Sequence, residues 1–144
     1  TRLLFAMLVI ALAGCAAPRA TFPGHERAVV WTAMVAVANA PTYRDEDPRR
    51  RWHVVQNDVW PDPHAGTIEI HRMLERSLKL ARLQEDRQRR ELLLAVRFLP
   101  IDDEDPDAPP TAEMRARNNI WIPAQLRNEA TRYFGQVREL LESR

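Results

Sequence analysis

Three histidines and two aspartates lie along one stretch of the chain, where a metal site could form. His53 and His71 lie in two segments predicted to pair as a hairpin, and His64 lies in the turn between them, with Asp58 and Asp62 nearby. Imidazole nitrogens and carboxylate oxygens are zinc ligands, and a zinc site needs three or four of them. The spacing matches no local metal motif, and surface histidines explain the same pattern. We therefore predict no metal ion at these positions.

An acidic segment, residues 102–107, carries five carboxylates in six positions. A calcium loop needs alternating oxygen ligands around a sharp turn that usually contains glycine. This segment contains Pro106 and no glycine. The prediction is a solvated loop, with weak calcium binding as the alternative.

Nucleophilic side chains are scarce in this chain. Ser77 and Ser143 are its serines, and Cys15 is its single cysteine. The sequence contains no Gly-x-Ser-x-Gly, P-loop, Gly-x-Gly-x-x-Gly or His-Glu-x-x-His motif. We predict that the protein is not an enzyme, and a metal- or carboxylate-dependent hydrolase is the weaker alternative.

Cys15 ends a segment whose pattern indicates export. Arg2 precedes a continuous apolar run over residues 3–12, which is shorter than the roughly 20 residues needed to span a bilayer core. Small residues follow the run, as at a signal-peptide processing site. The motif Leu12-Ala13-Gly14-Cys15 resembles the lipobox of bacterial lipoprotein signal peptides. An ordinary signal peptide with a coincidental cysteine, or an uncleaved anchor, would give a similar pattern.

The resemblance implies cleavage between Gly14 and Cys15 and a covalent lipid on Cys15, with no other cofactor. Residues 1–14 would be the signal peptide, residues 15–22 the acylated cysteine and tether, and residues 23–144 a single domain. Two or three acyl chains would anchor the protein stably in a membrane. Because Ala16 and not Asp follows the cysteine, similarity to proteobacterial sorting favours the outer membrane. We expect the domain to face the periplasm, with the cell exterior as the alternative.

The charge balance limits the classes of partner. Arg2 is the one charged residue of the leader, so the remaining chain carries 20 basic and 20 acidic side chains. Nucleic-acid-binding domains usually show a clear basic excess. The balance therefore argues against nucleic acid as a partner, and against electrostatic docking on anionic lipid.

Two short basic clusters and four tryptophans are candidates for surface contacts. Arg49-Arg50-Arg51 and residues 87–90 are predicted to flank strands and to pair with nearby acids, which discourages edge-to-edge aggregation. Contact with lipid headgroups or an acidic cell-wall polymer is the alternative. Core packing explains most of the tryptophans, but Trp60 and Trp121 lie near predicted element ends. These two are the candidates for a partner surface.

Hydrophobic periodicity predicts a helix at each end of the domain and strands between them. The helices are predicted over residues 25–39 and from Pro123 onward. Strands are predicted over residues 51–59, 67–80, 91–99 and, as a fourth, 111–118, with a charged turn over residues 83–90. Residues 71–83 also fit a helix, but the strand is favoured up to Leu80.

The fold class predicted from this order is α+β. An antiparallel sheet of three to four strands would carry the N-terminal and C-terminal helices on one face, leaving the other face polar or partly covered. We predict a tethered, non-enzymatic module that binds an envelope protein and is accessory to envelope assembly or maintenance. The alternative is a carrier or sensor of a lipid or small amphiphile, with its ligand in the groove between helices and sheet.

Overall fold

The computed structural model describes residues 16–45, 47–80, 84–118 and 123–144. The elements in chain order are β1 (Arg19–Thr21), α1 (Arg27–Asn39), a 3-10 turn (Pro48–Arg50), β2 (His53–Asp62), β3 (Thr67–Leu80), β4 (Gln84–Phe98), β5 (Thr111–Ala116) and α2 (Pro123–Glu142). The strands form one five-stranded sheet in the order β1-β5-β4-β3-β2, and every neighbouring pair is antiparallel. The predicted α+β class is confirmed, whereas the predicted three to four strands were too few.

Two segments differ from their predicted structure. Residues 19–21, which the sequence analysis placed in the tether, form β1 at the sheet edge beside β5. The predicted charged turn over residues 83–90 is wrong from Gln84 onward, because β4 begins there and pairs with β3. A long strand partner stabilises charged residues in an extended conformation that their own propensities do not favour.

The long strand favoured for residues 67–80 is confirmed as β3, which pairs with β4 along its whole length. Its hairpin with β2 is closed by Gly66, which has a φ of +65° and therefore needs a residue that tolerates the left-handed region. The Asp62 carboxylate accepts backbone N–H groups of His64 and Ala65, each at 3.1 Å, within this turn. A bulge between Val54 and Gln56 shifts the register of β2, so the alternation of its side chains between the two sheet faces changes at that point.

One face of the sheet and one side of each helix form the core. Alternation along the strands turns every second side chain inward, so Ile68, Ile70, Leu92 and Leu94 are fully buried. The helices contribute a second set of buried apolar and aromatic side chains: Val30, Ala33, Met34, Val37, Ala38, Ala130, Tyr133, Phe134, Val137 and Leu141. The Tyr133 hydroxyl donates to the Met34 carbonyl at 2.8 Å and joins α2 to α1.

The described helices thus pack on one face of the sheet, here called the inner face, and leave the opposite, outer face open. Pro123 opens α2, where a missing N–H costs nothing because the first turn has no acceptor for it. Neither described helix has the length and apolar character needed to cross a bilayer.

Candidate functional site

The strand register separates two of the histidines that were weighed as metal ligands. His71 lies opposite Asp58, whereas His53 lies opposite Glu75, so the two histidines are roughly 13 Å apart along the sheet. His53 and His71 therefore do not approach each other across the hairpin. His71 instead lies between two acids, with Nε2 at 2.8 Å from Glu91 and Nδ1 at 3.8 Å from Asp58. Within the described ranges, no group of three or more potential ligands has metal-site geometry.

The acidic loop and the first arginine cluster are exposed. In the loop, the Asp102 carboxylate accepts the N–H of Glu104 at 2.9 Å, a local turn contact. Arg49 and Arg50 lie in the 3-10 turn, where the Asp47 carboxylate accepts the Arg49 N–H at 2.9 Å. These contacts organise the two loops locally.

The three tryptophans within the described residues have different surroundings. Trp60 is 52% exposed and lies on β2 opposite Glu69, as a partner-surface residue requires. Trp31 packs against Phe98 at a centroid distance of 6.1 Å, and Trp52 lies beside the guanidinium groups of Arg76 and Arg90. Trp121, and the lipidation and cleavage residues Gly14 and Cys15, lie outside the described residues.

The outer face carries an arrangement of charges that sequence reasoning missed. The Glu113 carboxylate lies beneath three guanidinium groups, those of Arg19 at 3.4 Å, Arg97 at 2.6 Å and Arg115 at 3.0 Å. The Glu113 side chain is 0% exposed, whereas the three arginine side chains are 48–57% exposed. We call these four residues the cationic patch, because three positive charges share one negative charge.

Strand alternation and register build the cationic patch. Ala112 and Met114 on β5 point into the core. Because side chains alternate along a strand, Glu113 and Arg115 point to the outer face. Glu113 is the cross-strand partner of Arg97 on β4 and of Arg19 on β1. A single central carboxylate therefore receives an arginine from each neighbouring strand.

Electrostatics keep Glu113 ionised. Burial alone would raise its pKa, but the hydrogen bond from Arg97 and the charges of Arg115 and Arg97 outweigh burial, and the pKa of Glu113 is lowered. Its carboxylate is covered by the arginines themselves and not by the core. The patch thus presents fixed, charged guanidinium groups to solvent.

The rest of the outer face is largely neutralised by cross-strand pairs. Arg117 pairs with Glu69 at 3.2 Å, and Arg89 donates through Nε to Glu75 at 2.8 Å. Such exposed pairs contribute little to stability. They leave the cationic patch as a region of net positive charge on this face.

A second charged cluster is buried between the sheet and the helices. Arg72 on β3 is 0% exposed, and it donates to Asn57 Oδ1 at 2.8 Å, the Ala38 carbonyl at 2.9 Å and Tyr43 Oη at 3.0 Å. Its Nη1 also lies 3.4 Å from Glu129 Oε1 on α2. These acceptors satisfy the fully buried guanidinium, as burial of a charge requires.

Glu129 joins the remaining groups of this buried network. Its Oε1 accepts the Tyr43 hydroxyl at 2.8 Å and Arg132 Nε at 3.2 Å. Burial and the Glu129 charge raise the pKa of Tyr43 to about 12, so its hydroxyl stays protonated. Arg72 and Glu129 are buried, whereas Tyr43 and Arg132 are partly buried. The groups of the network are hydrogen-bonded to one another, which is typical of a structural role.

The sequence signal for this network was the position of Arg72. It follows Ile68 and Ile70 at the same alternating spacing and precedes Leu74, so its side chain had to enter the core. This spacing was enough to predict a buried arginine that requires a carboxylate partner.

Comparison of the chain with protein-family models, with curated proteins and with solved structures gave no match.

Proposed function

We propose that the protein is a non-enzymatic lipoprotein of the bacterial envelope that binds a protein partner through its outer face. Cys15 carries the lipid in this proposal, and the anchor places the domain at the outer membrane, facing the periplasm. The role is accessory to envelope assembly or maintenance. The observation that supports it best is the open sheet face with its cationic patch, opposite a face covered by both helices.

Charge complementarity selects the partner's surface. Arg19, Arg97 and Arg115 present three half-exposed guanidinium groups against one buried carboxylate. Guanidinium groups form bidentate hydrogen bonds with carboxylates, and complementary charges increase association rate and specificity. An acidic surface of an envelope protein fits this patch, with the exposed indole of Trp60 as an apolar contact elsewhere on the same face.

The lack of catalytic motifs in the sequence supports a binding function. The alternative, a carrier of a lipid or small amphiphile between helices and sheet, is less well supported because that interface is occupied by the packed core. Native lipid co-purifying with the Cys15→Ser protein would favour the carrier.

Site-specific photocrosslinking in cells tests the proposal. A photoreactive phenylalanine analogue would replace Gln56, Trp60 or Arg115 on the outer face, and Arg127 or Glu142 on α2 as matched exposed controls. We expect the outer-face positions to capture the same protein, whose capture falls when Cys15→Ser removes the anchor. Crosslinks that are equally strong from α2, or turnover of an envelope substrate by the purified protein, would contradict the proposal.

A further inference from the structure

β2 forms one edge of the sheet, because the strand order is β1-β5-β4-β3-β2. It is ten residues long, whereas β1 at the opposite edge has three. Four large apolar side chains are exposed among the described residues, and three of them lie on β2: Val54 at 37%, Val55 at 53% and Trp60 at 52%. A long edge strand with exposed apolar side chains is a template for pairing with another chain.

Hydrogen bonds of the neighbouring strands show which backbone groups of β2 are free. In an antiparallel ladder, the N–H and C=O of one residue point to one neighbouring strand, and those of the next residue point to the other. In β4, the Leu93 carbonyl accepts the N–H of Arg117, which follows β5, at 2.7 Å. The Phe98 N–H donates to Gly66, which precedes β3, at 3.0 Å. The registers carry this alternation from β4 to β3 and on to β2. Over residues 56–62, the even-numbered residues therefore point to β3 and the odd-numbered residues point to the free edge.

The free edge of β2 has a short regular stretch with unpaired backbone groups. Asn57 and Val59 direct both N–H and C=O outward, and Pro61 directs its C=O outward. None of these groups is hydrogen-bonded to another element within the described ranges. The regular stretch lies between the bulge and the end of β2, covers residues 56–62 and is therefore centred on Val59.

Charge decides which register two copies of this edge can adopt. Two antiparallel copies related by a two-fold axis have one residue opposite itself. Centring on Asp58 would place two carboxylates opposite each other, and centring on Trp60 would place Asp58 opposite Asp62; both arrangements are destabilising. Centring on Val59 places Asp58 opposite the indole of Trp60. The same register places Gln56 opposite Asp62, so each carboxylate faces a side chain that can donate a hydrogen bond to it.

We propose that β2 pairs antiparallel with β2 of a second copy of this chain, centred on Val59, so that the two sheets join into one continuous sheet. The Val59 N–H of each copy donates to the Val59 C=O of the other. The Asn57 N–H of each copy donates to the Pro61 C=O of the other, so the pairing uses every free N–H of the stretch. In strand addition, main-chain hydrogen bonds supply affinity and side-chain pairs supply specificity.

This pairing presents two cationic patches on one surface. The two-fold axis is perpendicular to the sheet, so the outer faces of both copies lie on the same side. The patches are centred on β5 of each copy and are roughly 30–35 Å apart across the joined sheet. Both patches stay uncovered, and a partner that spans them would bind with increased avidity. Because the self-pairing uses the sheet edge, it is tested separately from the proposed partner of the outer face.

Cysteine crosslinking of the purified full chain tests this register. In the Cys15→Ser background, Val59→Cys places the new thiols opposite each other, with Cα atoms about 5.5 Å apart, which a disulfide can span. Trp60→Cys places them two residues out of register, roughly 8 Å apart, which is too far. Arg127→Cys, at an exposed position of α2, reports random collisions. We expect disulfide-linked dimers to form about tenfold faster or more with Val59→Cys than with either control. Faster crosslinking of Trp60→Cys, or equal rates for all three variants, would overturn the proposal.

Sedimentation velocity of the Cys15→Ser chain over a concentration series measures the same association without changing Val59. Trp60→Glu places a carboxylate opposite Asp58 at two places in the dimer. Ile101→Glu is the matched control, because Ile101 is 61% exposed and lies off the edge strand. We expect Trp60→Glu to weaken dimerisation about tenfold or more, and Ile101→Glu to weaken it less than about twofold.

A compensating change makes this test specific to the register. Asp58→Lys combined with Trp60→Glu converts the two repulsive pairs into opposite-charge pairs, so we expect dimerisation to return to within about threefold of the parent. A parent chain that stays monomeric throughout the series would overturn the proposal. Equal effects of the two glutamate variants, or no recovery with the added lysine, would overturn it as well.

Discussion

Replacing Glu129 by Gln should destabilise the protein strongly, because it removes the negative charge that faces a fully buried arginine. Arg72 is 0% exposed and Glu129 is 8% exposed in their side chains. Removing one partner of a buried ion pair costs about 3–5 kcal/mol. Arg72 keeps its hydrogen bonds to Asn57 and the Ala38 carbonyl, so we expect the lower end, about 3 kcal/mol.

Urea unfolding, followed by circular dichroism, measures this effect. With a slope of about 1.5 kcal/mol per molar urea, a loss of about 3 kcal/mol lowers the midpoint by about 2 M. Glu139→Gln is the matched control on the same helix, since Glu139 pairs with Arg44 at 3.8 Å and both side chains are more than 60% exposed. That control should change stability by less than about 1 kcal/mol. If the two variants lost equal stability, the structural role assigned to the buried network would be refuted.

Three further predictions concern the pH dependence of stability and the backbone. Because the pKa of Glu113 is lowered, its contribution to folding stability is present above the ordinary pKa of 4.5 and is lost as pH falls through the pKa of the folded protein. Glu113→Gln should therefore cost about 1–3 kcal/mol of stability at pH 7. The difference in urea midpoint between this variant and the parent protein should shrink below pH 4.5. Tyr43, whose pKa is raised to about 12, should stabilise the fold fully below pH 10 and lose that contribution as pH rises through 12. The absorbance of the native protein at 295 nm should then rise at a higher pH than the absorbance of the protein unfolded in urea. An identical titration of the native and unfolded protein would contradict the assignment. Gly66→Ala should destabilise the protein by about 1 kcal/mol, because the φ of Gly66 is +65°. Gly135→Ala should instead stabilise α2 by about 0.5–1 kcal/mol, since nothing lies within 4 Å of the added carbon. Thermal melts in which both variants change the melting temperature in the same direction would be inconsistent with these backbone conformations.

The parts of the fold that were predictable are those with local patterns. The last helix begins at Pro123, as predicted, and β3 ends at Leu80, because apolar spacing and proline positions are local properties. β1 was missed because three residues show no periodicity, and its extended form depends on hydrogen bonds to β5. The start of β4 was missed for a related reason: Arg89 and its neighbours are held in the strand by partners such as Glu75 across the sheet.

The candidate site was less predictable, because composition gives only the total charge. The 20 basic and 20 acidic side chains beyond the leader were taken to argue against nucleic acid as a partner and against electrostatic docking on anionic lipid. Folding distributes these charges unevenly: Glu113 is shared by three arginines, while the acids of residues 102–107 lie in an exposed loop. A chain can therefore be neutral overall and still carry a cationic surface, because the register of the strands, and not composition, decides which charges become neighbours.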